Sequence, residues 1–350
     1  MTDTLIGWDI GGAHVKAAHL DGTGKVLALT QEACALWRGI QELEQAIPNI
    51  LARLAAPCPV RHAVTMTGEL VDAFADRRNG VQAIIAALGR LLGHADLWVF
   101  AGPHGLLPLD RLAPAHYGAV ASANWLVSAS FIATQCPAAL FIDLGSTTAD
   151  ILPVSGGKVH YRGYSDFERL RQEELVYTGV VRTPVMAVAE RVPFDGDMIL
   201  LAAEHFATMA DVYRLTGQLP EHADQWPSAD NGEKSTAGSA RRLARMLGCD
   251  FTGADLAAWR QVAVYLRESQ LAKLHWACLR QLSRGSLDES APLVGAGVGR
   301  FVLPALAARL ARPYVDIGAW LTGLPDDQQA FGAADLAPAV AVAKLALDLM

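Results

Sequence analysis

The chain has 350 residues, which at ~150 residues per domain implies two domains and excludes a single mini-domain. Apolar residues make up 52% and charged residues 19%, a balance that supplies a large core and excludes intrinsic disorder. Lys and Arg total 29 against 36 Asp and Glu, a net charge of −7 with no long basic run, so nucleic acid and anionic membranes are excluded as partners and small molecules are expected.

The first residues carry Asp3 and Asp9 and no basic flank, unlike a secretory signal, and a cytoplasmic protein is expected. DIGGAHVKAAHLDGTGKV, from Asp9, reads as a strand ending in an aspartate, a tight glycine turn, and a second strand closed by DGTG. Residues 39–54 place Ile40, Leu43, Ile47, Ile50, Leu51 and Leu54 at helical spacing, with Pro48 bending or restarting the helix. VRHAVTM (60–66) then reads as a buried strand, GVQAIIAALGRLL as a helix and LWVFA (97–101) as a strand.

Residues 117–142 carry no charge over 26 positions, enough to span a bilayer. Asn124, Gln135 and several serines interrupt the stretch and Pro137 divides it, so a helix, a turn and a buried strand are expected in place of a membrane span. At Asp143, DLGSTTADILPVSGGKV repeats the opening hairpin 134 residues on. An insertion at about 165–285 reads as mainly helical, with 197–217 as one helix ending at Gly217, a polar loop, and helices around 236–247 and 255–284. The strand APLVG (291–295), the helix VGRFVLPALAARL, the short YVDIG and a helix over 334–349 close the chain. The expected organisation is therefore a duplicated α/β protein with domains at 1–136 and 137–350, the second carrying the helical insertion. The five cysteines, Cys34, Cys58, Cys136, Cys249 and Cys278, are odd in number and form no CxxC, which excludes a fully paired disulfide set and a structural zinc site and leaves each as a small buried apolar residue.

Three glycine-containing segments can carry chemistry: DIGGAHVK (9–16), DLGSTTAD (143–150) and VGAGVGR (294–300). Glycines let a phosphate approach backbone N–H groups that a Cβ would shield, and the aspartates can hold Mg²⁺ directly or through water. Gly11, Gly12 and Gly145 also fit ordinary turns, Lys16 also fits an exposed strand position, and His14, in the loop, faces either phosphate or solvent. The set resembles the actin, sugar-kinase and heat-shock-protein ATPase superfamily, whose domains are ribonuclease H-like.

TMTGELVDAFADRRNGV (65–81), ANWLVSA (123–129), DLGSTTADILPV (143–154), YTGVVRTPV (177–185), TMADVYRLTG (208–217) and RRLARMLGCD (241–250) together resemble the tetrahydromethanopterin-linked C1-transfer pathway protein family, part of the hydantoinase and oxoprolinase group. The resemblance spans nearly the whole chain. It implies a transferase of methanofuran biosynthesis that joins an aminomethylfuran methyl diphosphate to the phenolic oxygen of a glutamyl-tyramine or tyrosine acceptor and releases diphosphate. On that reading Asp9 and Asp143 hold Mg²⁺, Gly11, Gly12, Gly145, Ser146, Thr147 and Thr148 cradle phosphate oxygens, and Lys16 neutralises charge.

A phenol of pKa ~10 needs a base to take its proton or a cation to stabilise the phenolate, and Asp150, Glu69 and Asp211 are the candidate bases. Thr67 and Glu69 follow a strand, where ligands of α/β sheets bind, although Glu69 also fits a helix-start carboxylate. Glu204, Thr208 and Asp211 share one face of the expected 197–217 helix, which fits either a site or a solvated face. Arg182 fits a clamp on diphosphate or a substrate carboxylate, or an exposed loop arginine; Asn124 fits a site amide, an N-cap or a buried amide. Gly295, Gly297 and Gly299 form the later loop, which would take adenosine if the protein were instead an ATP-dependent kinase. The resemblance is also compatible with an ATP-dependent amide-ring hydrolase and with a non-catalytic nucleotide-binding pathway protein, and a homodimer is left open.

Overall fold

Strand β1 (Thr4–Ile10) is buried at every position, because β2 (His14–Asp21) pairs with it antiparallel on one edge and β4 (Val60–Met66) pairs parallel on the other. Strand β3 (Val26–Ala33) lies between these in sequence and pairs with β2. The computed structural model describes residues 4–56, 60–93, 96–321, 323, 331–347 and 349. Helix α1 (Gln41–Leu54) keeps Pro48 inside an otherwise amphipathic run, and α2 (Arg77–Leu92) starts at Asp76, whose side chain accepts from the Asn79 amide. With β5 (Leu97–Phe100) and β6 (Leu106–Pro108) the first sheet has the order β3-β2-β1-β4-β5-β6. Trp8, Ile47, Val64 and Leu88 belong to the core on it.

The uncharged stretch resolves as short α3 (Tyr117–Val120), a turn at Ser122, α4 (Asn124–Gln135) and strand β7 (Ala138–Leu144). Among the described residues no helix is long and apolar enough to cross a membrane. Strands β8 (Ala149–Ser155) and β9 (Lys158–Val159) complete the repeated hairpin. Helix α5 (Asp166–Gln172), strand β10 (Leu175–Val176) and a hairpin of β11 (Arg191–Phe194) and β12 (Asp197–Leu200) follow. Then come α6 (Met209–Leu215), α7 (Thr236–Met246), the 27-residue α8 (Leu256–Leu282), β13 (Leu293–Ala296), α9 (Leu303–Arg309), β14 (Tyr314–Asp316) and α10 (Ala337–Leu347). The second sheet runs β10-β8-β7-β13-β14, with β13 parallel to β7, so strand, hairpin partner and parallel neighbour recur as in the first.

Two departures from the sequence reading have local causes. Residues 197–217 are not one helix. Asp195 and Gly196 both take positive φ (51° and 85°) and close the β11–β12 hairpin, the conformation that an Asp-Gly pair favours. Helix α6 starts only after Thr208, whose amide is held by Asp211 Oδ2 at 3.1 Å in a capping box, and Glu204 lies outside it. Cys249 is exposed, contrary to the expectation of a buried residue, while Cys34 and Cys278 are buried, Cys136 is half-buried and Cys58 lies outside the described residues.

The chain forms two compact units, Met1–Ala138 with Val154–Val159 and Asp316–Met350, and Ala139–Pro153 with His160–Val315. The closing segment thus groups with the first unit, where the expected division at 136/137 places it in the second. The reason is close packing of α10 on β1: a Cβ on Gly7 would fall on the Ala339 carbonyl and lie 2.8 Å from the Ala343 Cβ.

Candidate functional site

In the first unit, the Gly11 amide donates to the His14 carbonyl (3.0 Å) and closes the turn between β1 and β2. The carbonyls of Gly12 and Ala13 accept from Leu36 and Cys34, whereas the amides of Gly12 and Ala13 donate to no acceptor among the described residues. Successive free amides in a tight turn form an anion-binding concavity. A Cβ on Gly12 would sit 2.8 Å from Val71, so glycine is required there by contact and not by φ. His14 begins β2, and the Thr67 amide donates to the Ile10 carbonyl (2.9 Å), which fastens the end of β4 to the end of β1.

Asp9 is 3% exposed and stands opposite Lys16, whose Nζ lies 3.5 Å from Oδ2. Burial pushes the Asp9 carboxyl above the ordinary range, with Lys16 and the Asn124 amide pulling it back. Its Oδ1 is buried with no hydrogen-bond partner among the described residues. Asn124 is the first residue of α4, and the turn before it is tied down from two sides: the Ala123 amide donates to the Met66 carbonyl (3.2 Å), and Ser122 Oγ donates to Glu69 Oε1 (2.6 Å). Glu69 is 1% exposed, so it acts as a brace inside the protein.

The second unit repeats the turn. The Gly145 amide donates to the Thr148 carbonyl (2.9 Å), the same bond at an offset of 134, and the amides of Ser146 and Thr147 donate to no acceptor among the described residues. Its outer side is held by residues 179–182: Val180 donates to the Gly145 carbonyl (3.1 Å), and Val181 and Arg182 donate to the Ser146 carbonyl (3.1 and 2.8 Å). Gly179 presses on this turn, since a Cβ there would lie 2.5 Å from the Ser146 oxygen. Gln270 of α8 donates to Thr178 Oγ1 and the Gly179 carbonyl (2.8 and 2.9 Å) and accepts from the buried Tyr213 hydroxyl (2.6 Å). Gly179, Gln270 and Ser122 escaped the sequence reading; only Gly179 had a signal, its place in the YTGVVRTP segment.

Gly295 lies within β13, where a Cβ would meet the Tyr314 hydroxyl at 2.7 Å. Gly297 takes φ +84° against the Asp143 carboxylate, and the Gly299 amide donates to the Leu144 carbonyl (2.8 Å). This loop therefore packs onto the strand end that carries Asp143. Asp150 is bound by Arg169 of α5 (2.6 Å); burial raises its carboxyl above the ordinary range and Arg169 opposes that. Asp211 departs from the expectation of a helix-face base: Oδ1 accepts from Ser239 (2.8 Å) and from the buried Arg242 (2.8 Å), and Oδ2 holds the Thr208 amide. Its acceptors are spent on structure, a role that the Thr-x-x-Asp spacing signals. Among the described residues no three His, Cys, Asp or Glu side chains gather as a metal cluster.

A family model described as Hydantoinase/oxoprolinase matches residues 61–321, more than half of the chain. The chain belongs to the hydantoinase/oxoprolinase family. It is 29% identical over 247 residues, 70% of this chain and 72% of the other, to a (4-{4-[2-(gamma-L-glutamylamino)ethyl]phenoxymethyl}furan-2-yl)methanamine synthase of Methanocaldococcus jannaschii. A synthase of the same name from Methanococcus vannielii is 29% identical over 111 residues, 32% of this chain and 50% of that one. Among solved structures, a nucleotide-free acetone carboxylase superposes with a TM-score of 0.56 at 10% identity, over 89% of this chain and 68% of that one, a likeness of fold alone. The fold of this family member is α/β, with two actin-like domains, β2-β1-β4-β5 of one sheet being matched by β8-β7-β13-β14 of the other.

Proposed function

We propose that the protein is a transferase of methanofuran-type C1-carrier biosynthesis that joins an aminomethylfuran methyl diphosphate to the phenolic oxygen of a glutamyl-tyramine or tyrosine acceptor. The observation that carries this reading is the 29% identity over 247 residues to a synthase whose product, by its name, contains a phenoxymethyl-furan ether. The carbon–oxygen bond to diphosphate breaks, the phenolic oxygen takes the furfuryl carbon, the phenolic proton goes to a base, and diphosphate leaves. Catalysis of such a step consists of stabilising the leaving oxygens and positioning the phenol.

The free amides of Gly12 and Ala13 in one turn and of Ser146 and Thr147 in the other support diphosphate recognition, with Lys16 as the neighbouring cation. Asp9 fits a hard divalent cation, since its buried Oδ1 lacks a partner among the described residues, and Mg²⁺ is commonly held by one or two carboxylates plus water and phosphate. We assign Mg²⁺ binding to the strand-end aspartates, Asp9 of the first unit and Asp143 of the second, each taken by itself; the ion would neutralise diphosphate charge. Of the three candidate bases, Asp150 has the best support. All three are tied, Glu69 to Ser122, Asp211 to Arg242 and Ser239, and Asp150 to Arg169; what favours Asp150 is that burial raises its carboxyl above the ordinary range, toward proton acceptance.

The test is to incubate the purified chain with Mg²⁺, the furfuryl diphosphate and a tyramine or tyrosine acceptor without ATP, and to follow ether by mass and diphosphate by release. Ether with stoichiometric diphosphate is expected. Reaction only when ATP is added would replace this reading with a kinase or hydrolase.

A further inference from the structure

The second unit carries an open cavity of about 180 Å³ whose wall includes Asp211, Arg214, Asp224 and Trp226, with the exposed side chains of Arg182 and His205 at it. Its volume is close to the ~150 Å³ that holds a benzene molecule, so it takes one small functional group with adjacent carbons. The charges in its wall are of both signs, but they are not equally available. Asp224 is bound by Arg214 (2.5 Å) and Lys234 (3.4 Å), and Asp211 by Arg242 (2.7 Å) and Arg214 (3.5 Å). Among the described residues neither the Arg182 guanidinium nor the His205 ring has a hydrogen bond or an ion pair, so these are the groups left to meet a ligand.

Arg182 also links this cavity to the repeated turn, because its own amide donates to the Ser146 carbonyl (2.8 Å). A ligand held by its side chain is thereby registered against that turn through one residue. A diphosphate is poorly matched to the cavity, since Arg214 is already paired with Asp211 and Asp224, which leaves the guanidinium of Arg182 to balance a multiply charged anion. A single carboxylate accompanied by an ammonium carries no net charge and asks for one free cation, with the planar fork of Arg182 taking both carboxylate oxygens and Trp226 offering an apolar face to the adjoining carbons.

We propose that this cavity seats the zwitterionic amino-acid head group of the phenolic acceptor, its carboxylate on Arg182. The inference rests on the acceptor class proposed above. A γ-glutamyl tyramide and tyrosine both carry such a head group, at different distances from the phenol, and tyramine does not.

Calorimetry on the full chain, without furan substrate, separates this proposal from the reaction. γ-Glutamyl-tyramine, tyrosine, tyramine and inorganic diphosphate are titrated into wild type, Arg182→Ala, Arg182→Lys and His205→Gln. At least one of the two head-group ligands is expected to bind about tenfold or more tightly than tyramine, a preference lost in Arg182→Ala and partly restored in Arg182→Lys. Which of the two binds identifies the acceptor. Equal binding of tyramine, a preference that survives Arg182→Ala and His205→Gln, or diphosphate that competes for the cavity in an Arg182-dependent way would each overturn it. Arg182-dependent binding without ether formation would sink the proposed reaction and leave the head-group site standing; ether formation indifferent to Arg182→Ala and to the head group would do the reverse.

Discussion

Replacing Gly179 with alanine tests whether the second turn is held in place by the segment behind it. An ideal Cβ at this position would lie 2.5 Å from the Ser146 oxygen, where ordinary contact begins at 3.4 Å. The neighbouring atoms are backbone and have no rotamer to escape into, so the turn must move by about 1 Å or the segment 179–182 must lift away. Overpacking of this kind costs about 1–3 kcal/mol, and a 1 Å misplacement of catalytic groups costs about 100-fold in rate. Lifting the segment would also strain the bonds from Val180, Val181 and Arg182 to the turn carbonyls. Gly179→Ala is therefore expected to fall about 100-fold in diphosphate release with a denaturation free energy lower by about 1–3 kcal/mol, and to bind inorganic diphosphate more weakly. Turnover within about threefold of wild type, at unchanged stability, would refute the idea that this contact sets the turn.

Three further outcomes follow from the geometry. Burial raises the Asp9 carboxyl, so the group contributes stability in the folded state below its unfolded value of 3.8 and loses it as pH rises through the folded value; Asp9→Asn should thus be at least as stable as wild type at neutral pH in urea titrations while losing diphosphate release. Ser122→Ala removes the donor to buried Glu69 Oε1 and should cost about 1–3 kcal/mol by denaturant midpoint, with activity falling as the start of α4 and Asn124 loosen. His62 is buried, accepts from Trp8 Nε1 at Nδ1 (3.2 Å), and is pushed down from 6.5 to about 4, so stability should be lost as pH falls from about 6.5 to 4; His62→Gln should flatten that slope in denaturation curves recorded across the window.

Much of this fold was legible because its decisive signals are short. The aspartate–glycine hairpins are local, and the matching bonds from Gly11 to His14 and Gly145 to Thr148 follow from sequence repeated at one offset. Residues 197–217 misled because apolar spacing outweighed a two-residue turn: Asp195 and Gly196 reverse the chain just before the segment, so its first residues are spent on a strand and only seven form α6. Ser122 and Gln270 were illegible for a different reason. Each matters through a partner that only the folded chain supplies, 53 residues away for Ser122 and 92 for Gln270.

The repeat also shows where a legible fold stops short of function. Seven residues after the strand-end aspartate, the first copy has Lys16, 3.5 Å from Asp9, while the second has Asp150, bound by Arg169 from the insertion. Two hairpins closed by the same turn bond thus differ in the sign of the charge at matching positions of their second strands. In the first copy a cation adjoins the carboxylate, which suits the phosphate site proposed above; in the second a carboxyl raised by burial stands at the matching residue, which suits the proposed base. The glycines and the hydrogen-bonded turn that the copies share account for their shape. The position at which they differ, together with the helices that supply Arg169 and Arg242, is where the roles proposed for the two copies part.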